Sequence, residues 1–109
     1  MGIKDLTKVT QHLLICNGST CTHNGADQLT KALRAEITKK GLDDQIHTTK
    51  TLCTGRCNEG PIVIQYPKGV WYKYMSAKIV QTFVKKQIQK NQPLKEHILY
   101  DPSTNNLTP

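Results

Sequence analysis

Apolar positions along this chain come in short aliphatic runs and in two stripes of helical period, with breaks rich in Gly, Pro, Ser and Thr between them. Residues 11–15 (QHLLI) predict a buried strand that runs directly into Cys16. Residues 16–25, rich in Gly, Ser, Thr and Asn, predict a loop. Ala26, Leu29, Leu33 and Ile37 then recur at helical spacing and predict a helix over 26–40, capped by Asn24 or Gly25 and stopped by Gly41. Thr-rich residues 46–52 predict a second strand, which ends at Cys53, and 53–60 a second loop. Pro61 opens the β-branched run 62–66. The turn Pro67-Lys68-Gly69 and the run 70–74 complete a predicted hairpin. Ser76 is suited to cap a helix over 77–90, whose apolar face is Ile79, Val80, Phe83, Val84 and Ile88 and which Pro93 should end. After Leu94 the one apolar patch is Ile98-Leu99-Tyr100. The expected organisation is an extension at 1–9, one domain at 10–100 and a flexible tail at 101–109.

The element order is therefore β-α-β-β-β-α, an α/β fold. A strand–helix–strand unit makes parallel strands through a right-handed crossover. Parallel strands end on one edge of the sheet, where ligands gather in open α/β sheets. The loops that begin at Cys16 and Cys53 should therefore meet.

A chain of 109 residues fits one domain with one modest core. It shows no apolar stretch of signal-peptide or membrane-span length, so a cytoplasmic location is expected, with no membrane partner. Thiols there stay reduced, which argues against structural disulfides. The formal net charge of +7 would attract acidic partners. The lysines are spread along the chain rather than bunched, which favours a solvated surface and disfavours nucleic acid as partner.

The cysteine pattern is C-x4-C, then 31 residues, then C-x3-C, with no cysteine left over. Two loops that each offer two thiolates match a 2Fe–2S cluster, which takes two on each iron. They also match a four-cysteine zinc site, whose ligand spacings include these. Neither loop has the C-x-x-C of a thioredoxin-type redox pair. A Rieske centre needs Cys-x-His twice; Cys21-Thr22-His23 supplies it once and no His follows Cys57. No motif places His12, His47 or His97 as the base of a cysteine nucleophile. Gly18, Gly55 and Gly60 would let the backbone turn tightly and aim amides at sulfur.

The residues that go furthest are Leu14-Ile15-Cys16 and Cys21, then Cys53-Thr54-Gly55-Arg56-Cys57-Asn58-Glu59-Gly60-Pro61, then the run from Ile62 to Tyr72 with Tyr66-Pro67-Lys68-Gly69-Val70-Trp71-Tyr72. On these the chain resembles the thioredoxin-like 2Fe–2S ferredoxins, relatives of the small cluster-bearing subunit of NADH dehydrogenases, over roughly residues 11–100. The resemblance implies a thioredoxin-like fold with a mixed sheet of four to five strands flanked by two helices. It implies a 2Fe–2S cluster on Cys16, Cys21, Cys53 and Cys57, and one-electron transfer rather than catalysis. It places the cluster above zinc. The chain departs from the family in its short first loop and its basic charge.

Two alternative readings stay open: a zinc-bearing interaction module, and an accessory subunit of a larger oxidoreductase. Further expectations attach to single features. Arg56, between two cysteines, should raise the reduction potential unless it points into water. Pro61 is a candidate for a cis peptide bond. Trp71, Tyr66, Tyr72 and Tyr74 read as core and sheet residues or as a homodimer face. Lys39, Lys40, Lys85, Lys86 and Lys90 read as solvated, or as a docking surface for an acidic redox partner.

Overall fold

The computed structural model describes residues 4–92 and 94–109, with the backbone alone at residues 22 and 57. Pro93, expected to end the last helix, lies outside the described residues. The elements are β1 (Gln11–Cys16), α1 (Ser19–His23), α2 (Ala26–Lys39), β2 (Ile46–Thr51), β3 (Val63–Tyr66), β4 (Val70–Tyr72), α3 (residues 77–89), β5 (Ile98–Asp101) and β6 (Asn106–Leu107). The strands form one mixed sheet in the order β2-β1-β3-β4-β5-β6. β1 and β2 are parallel, as the strand–helix–strand order requires, and every other pair is antiparallel.

The α/β class and the main elements match expectation, and three features differ. The sheet has six strands, because the tail folds back as a hairpin. Asp101 makes its turn by accepting from the Ser103 amide at 3.0 Å and the Ser103 hydroxyl at 2.8 Å. The first loop contains the short helix α1. The last helix is not regular: a 3-10 turn, Ala77–Ile79, passes through Val80–Thr82 into a π-helix, Phe83–Gln89. Ser76 occupies its cap position without a side-chain cap bond. Gly25, at φ 99°, caps α2 in a left-handed conformation that suits glycine. Both Gly60–Pro61 and Tyr66–Pro67 are cis.

Side chains alternate across the sheet, so each strand feeds two faces. One face presents Leu13, Ile15, Val63, Val70 and Tyr72 to Leu29, Leu33 and Ile37 of α2 and to Phe83, Val84 and Ile88 of α3. Each fully buried residue of this kind stabilises the fold by about 2 kcal/mol relative to exposure. The opposite face carries a row of partners in register, Thr49, Leu14, Ile64, Trp71, Tyr100 and Leu107, one from each strand. Within the predicted aromatic group this separates Tyr72, which is buried in the helical core, from Trp71, which is half-buried on the other side.

The two ends of the sheet differ. β1 and β2 finish at the cysteine end, α2 begins there, and the start of α3 is tied there by the Met75 amide donating to Pro61 O at 3.0 Å. Both helices then run to the opposite end, where Leu42 O accepts from the Ile46 amide and Gln11 Nε2 donates to Ile88 O. Lys39, Lys40, Lys86 and Lys90 therefore lie at the pole away from the cysteines. Lys68, in the β3–β4 turn, joins them there through a bond to Asn91 Oδ1.

Candidate metal centre

Cys16 is the last residue of β1 and faces Thr51, the last of β2, in register; Cys53 follows two residues later. The two cysteine loops are in contact. The Asn17 amide donates to Thr51 O at 2.8 Å, and the Cys16 thiol donates to Leu52 O at 3.5 Å. A methyl group at Gly18 would stand 2.9 Å from Cys53 Cα, so the backbone of one loop packs on that of the other. A side chain at Gly18 would separate them. Gly55, at φ 92°, turns the second loop so that its own amide donates to Cys53 Sγ at 3.3 Å.

Cys16 and Cys21 are buried, in an apolar group with Ala26, Ile62, Ile64 and Leu99. α1 carries Cys21 back towards Cys16. Burial opposes ionisation of the Cys16 thiol. Donors around it, the Gly18 amide, the Cys21 thiol and the Thr54 amide among them, outweigh it and hold the thiol below its ordinary pKa. The donor set around this sulfur thus favours a thiolate, which is the form that binds iron. Cys53 is exposed at the rim, and Cys57 opens the 3-10 turn Cys57–Glu59. Among the described residues, no three His, Cys, Asp or Glu side chains are gathered to hold a metal ion.

The Arg56 side chain is partly exposed and turns to Glu59. Its guanidinium donates to Glu59 Oε1 at 2.5 Å, and Glu59 is buried. Two residues that sequence reasoning missed thus belong to the loop: Glu59, which neutralises Arg56, and Thr54, whose amide favours the charged form of Cys16 and whose buried hydroxyl has no hydrogen-bond partner among the described residues. The i,i+3 spacing of Arg56 and Glu59 was the available signal for the pair. His23 ends α1 and is exposed.

Comparison with known proteins gives a consistent picture. The family model for thioredoxin-like [2Fe-2S] ferredoxins matches residues 4–88. A Priestia megaterium protein named as a 2Fe-2S ferredoxin is 38% identical over 97 residues, covering 89% of this chain and 76% of its own. A 2Fe-2S ferredoxin of Clostridium pasteurianum is 29% identical over 94 residues, covering 77% of this chain and 90% of its own. In fold, the chain is similar to the thioredoxin-like [2Fe-2S] ferredoxin of Aquifex aeolicus, with a TM-score of 0.78 at 24% identity, covering 85% of this chain and 99% of that one. It is also similar in fold to 17% of a chain of an NAD+-reducing [NiFe]-hydrogenase, covering 92% of this chain, with a TM-score of 0.64 at 15% identity.

Proposed function

This chain belongs to the thioredoxin-like [2Fe-2S] ferredoxin family, and we propose that Cys16, Cys21, Cys53 and Cys57 are the ligands of its cluster. It is an electron carrier of that family, not an enzyme, and its cofactor is a 2Fe–2S cluster. The cluster, when bound, accepts and releases one electron at a time. The remaining work falls to the chain. β1 and β2 deliver two loops to one edge, and α1 returns Cys21 to Cys16. The amides of Gly18 and Thr54 stabilise negative charge on sulfur. The apolar group around Cys16 and Cys21 keeps water from the inner side of the site.

The single observation that carries the ligand assignment is the packing of Gly18 on Cys53, which joins a loop bearing two cysteines to the other loop bearing two. Anaerobically purified protein should show the visible bands of a 2Fe–2S cluster and, once reduced, its EPR signal. Each Cys→Ala variant should lose most of that colour, and Ser substitutions should shift the bands instead. A colourless protein that holds zinc, or full colour in any one Cys→Ala variant, would refute the assignment.

Electron transfer requires a redox partner. A second reading concerns a second copy of the chain. The row Leu14, Ile64, Trp71 and Tyr100 forms an apolar band on the sheet face that α2 and α3 leave uncovered. This band favours a homodimer through the sheet.

A further inference from the structure

The sequence offers the lysines as the partner surface, but their placement separates them from the cysteines. Lys39, Lys40, Lys68, Lys86 and Lys90 crowd the far pole, set against Asp43 and Asp44. At the cysteine pole two of the cations are paired within the protein. Lys50 pairs with Asp27 at 3.3 Å, and Arg56 pairs with Glu59 at 2.5 Å. Lys78, at the start of α3, is an exposed cation there, while Lys73 is buried, with its ammonium bonded to Thr108 O and 5.8 Å from the centre of the Tyr74 ring.

Apolar side chains stand out at the same pole. Leu52 is 84% exposed although it lies directly before Cys53. Its carbonyl faces inward, where it accepts from the Cys16 thiol and from the Thr51 hydroxyl, and its side chain is turned outward. Tyr74 is 52% exposed and has φ 51°, a left-handed conformation unusual for a bulky residue. Its amide donates to Glu59 O at 2.8 Å and the next amide to Pro61 O, which fixes it to the second cysteine loop. Leu52 follows β2 and Tyr74 follows β4, with β1 and β3 between. At the usual strand separation they stand about 14 Å apart, on either side of the cysteine loops. Single exposed apolar residues are ordinary. A pair flanking the two cysteine loops, one of them held at φ 51°, is not.

We propose that electrons leave between Leu52 and Tyr74, and that the partner is a redox protein whose docking face is apolar and uncharged. The inference rests on the ligand assignment above, because it takes the cysteine edge as the exit. A thiolate-bound cluster is itself negative, which adds repulsion to any acidic face brought to this pole. Burial of the apolar side chains at this pole would hold such a complex, since a few side chains near the centre of a contact carry most of its energy.

The test uses two cobalt(III) oxidants of equal charge, tris(1,10-phenanthroline)cobalt, which is apolar, and hexaamminecobalt, which is not. Each takes one electron from the reduced holoprotein and becomes cobalt(II). Stopped-flow rates are measured for wild type, Leu52→Ser, Tyr74→Ser, the double variant and Lys86→Glu/Lys90→Glu. Visible spectra of each protein are matched first, so that a missing cluster, which would sink the ligand assignment, is told apart from a failed exit. The ratio of phenanthroline to hexaammine rates should fall by about fivefold in the double variant and less in each single one. In the lysine variant the ratio should hold. An unchanged ratio in the double variant would overturn the proposal, as would an equal fall in the lysine variant.

Discussion

A guanidinium and a carboxylate 2.5 Å apart act on a nearby redox centre with opposite signs. Arg56 alone would favour the added electron, and Glu59 alone would oppose it. A unit charge about 8 Å away, at an effective dielectric of about 20, is worth about 2 kcal/mol, roughly 80 mV for one electron, before water screens it. Arg56 is partly exposed, so tens of millivolts is the scale to expect. Protein-film voltammetry should find a lower potential in Arg56→Gln and a higher one in Glu59→Gln. The double variant should return close to wild type. Two single variants that shift in the same direction would show that loop rearrangement, not charge, sets the potential. The sequence made Arg56 visible as a cation between cysteines. It did not make visible that the cation is cancelled, because that depends on where the Glu59 side chain turns after the 3-10 turn.

At the scale of the elements, two glycines in the cysteine loops do different work. Gly18 lies where any side chain meets backbone, with Cys53 Cα at 2.9 Å and Cys53 N at 3.1 Å. Neither atom can move without shifting β2 or its loop. Gly55 has open space around it, and a side chain there meets only the cost of φ 92°. Gly18→Ala should lose about 1–3 kcal/mol in urea denaturation and lose cluster absorbance per chain. Gly55→Ala should lose about 1 kcal/mol and keep its absorbance. Equal absorbance in the two variants would mean that the loops do not depend on the Gly18–Cys53 packing. The elements that position this contact were legible because their patterns are long. β1 and β2 are apolar or Thr-rich runs that end at cysteines, and α2 repeats its apolar residues over fourteen positions. The short elements were hidden. α1 has five residues and polar neighbours, and β6 has two, too few for any period to emerge. The family resemblance supplied the ligand set, and spacing alone left zinc beside iron.

On the scale of the whole molecule, function is divided among surfaces that point in different directions. The strand ends carry the cysteines, the helical face closes the core, and the far pole gathers lysines. The remaining large surface is the sheet face away from the helices, where Leu14 opposes Ile64, Ile64 opposes Trp71 and Trp71 opposes Tyr100. Exposed Tyr66 and Leu107 extend that band at its margins. A specific interface buries roughly 1,200 Å² or more in total. Trp71 lies mid-row, where a charge could not reach water in the complex, and an unpaired buried charge is costly. Sedimentation of the holoprotein should therefore give the mass of two chains, and Trp71→Arg the mass of one with the visible spectrum intact. Leu52 and Tyr74 lie beyond the strand ends, outside this row, so the Trp71 variant should keep the wild-type cobalt rates. A wild-type protein that sediments as one chain would leave the apolar row as a sheet face closed only by its own half-buried side chains. A dimer that survives Trp71→Arg would place the contact elsewhere.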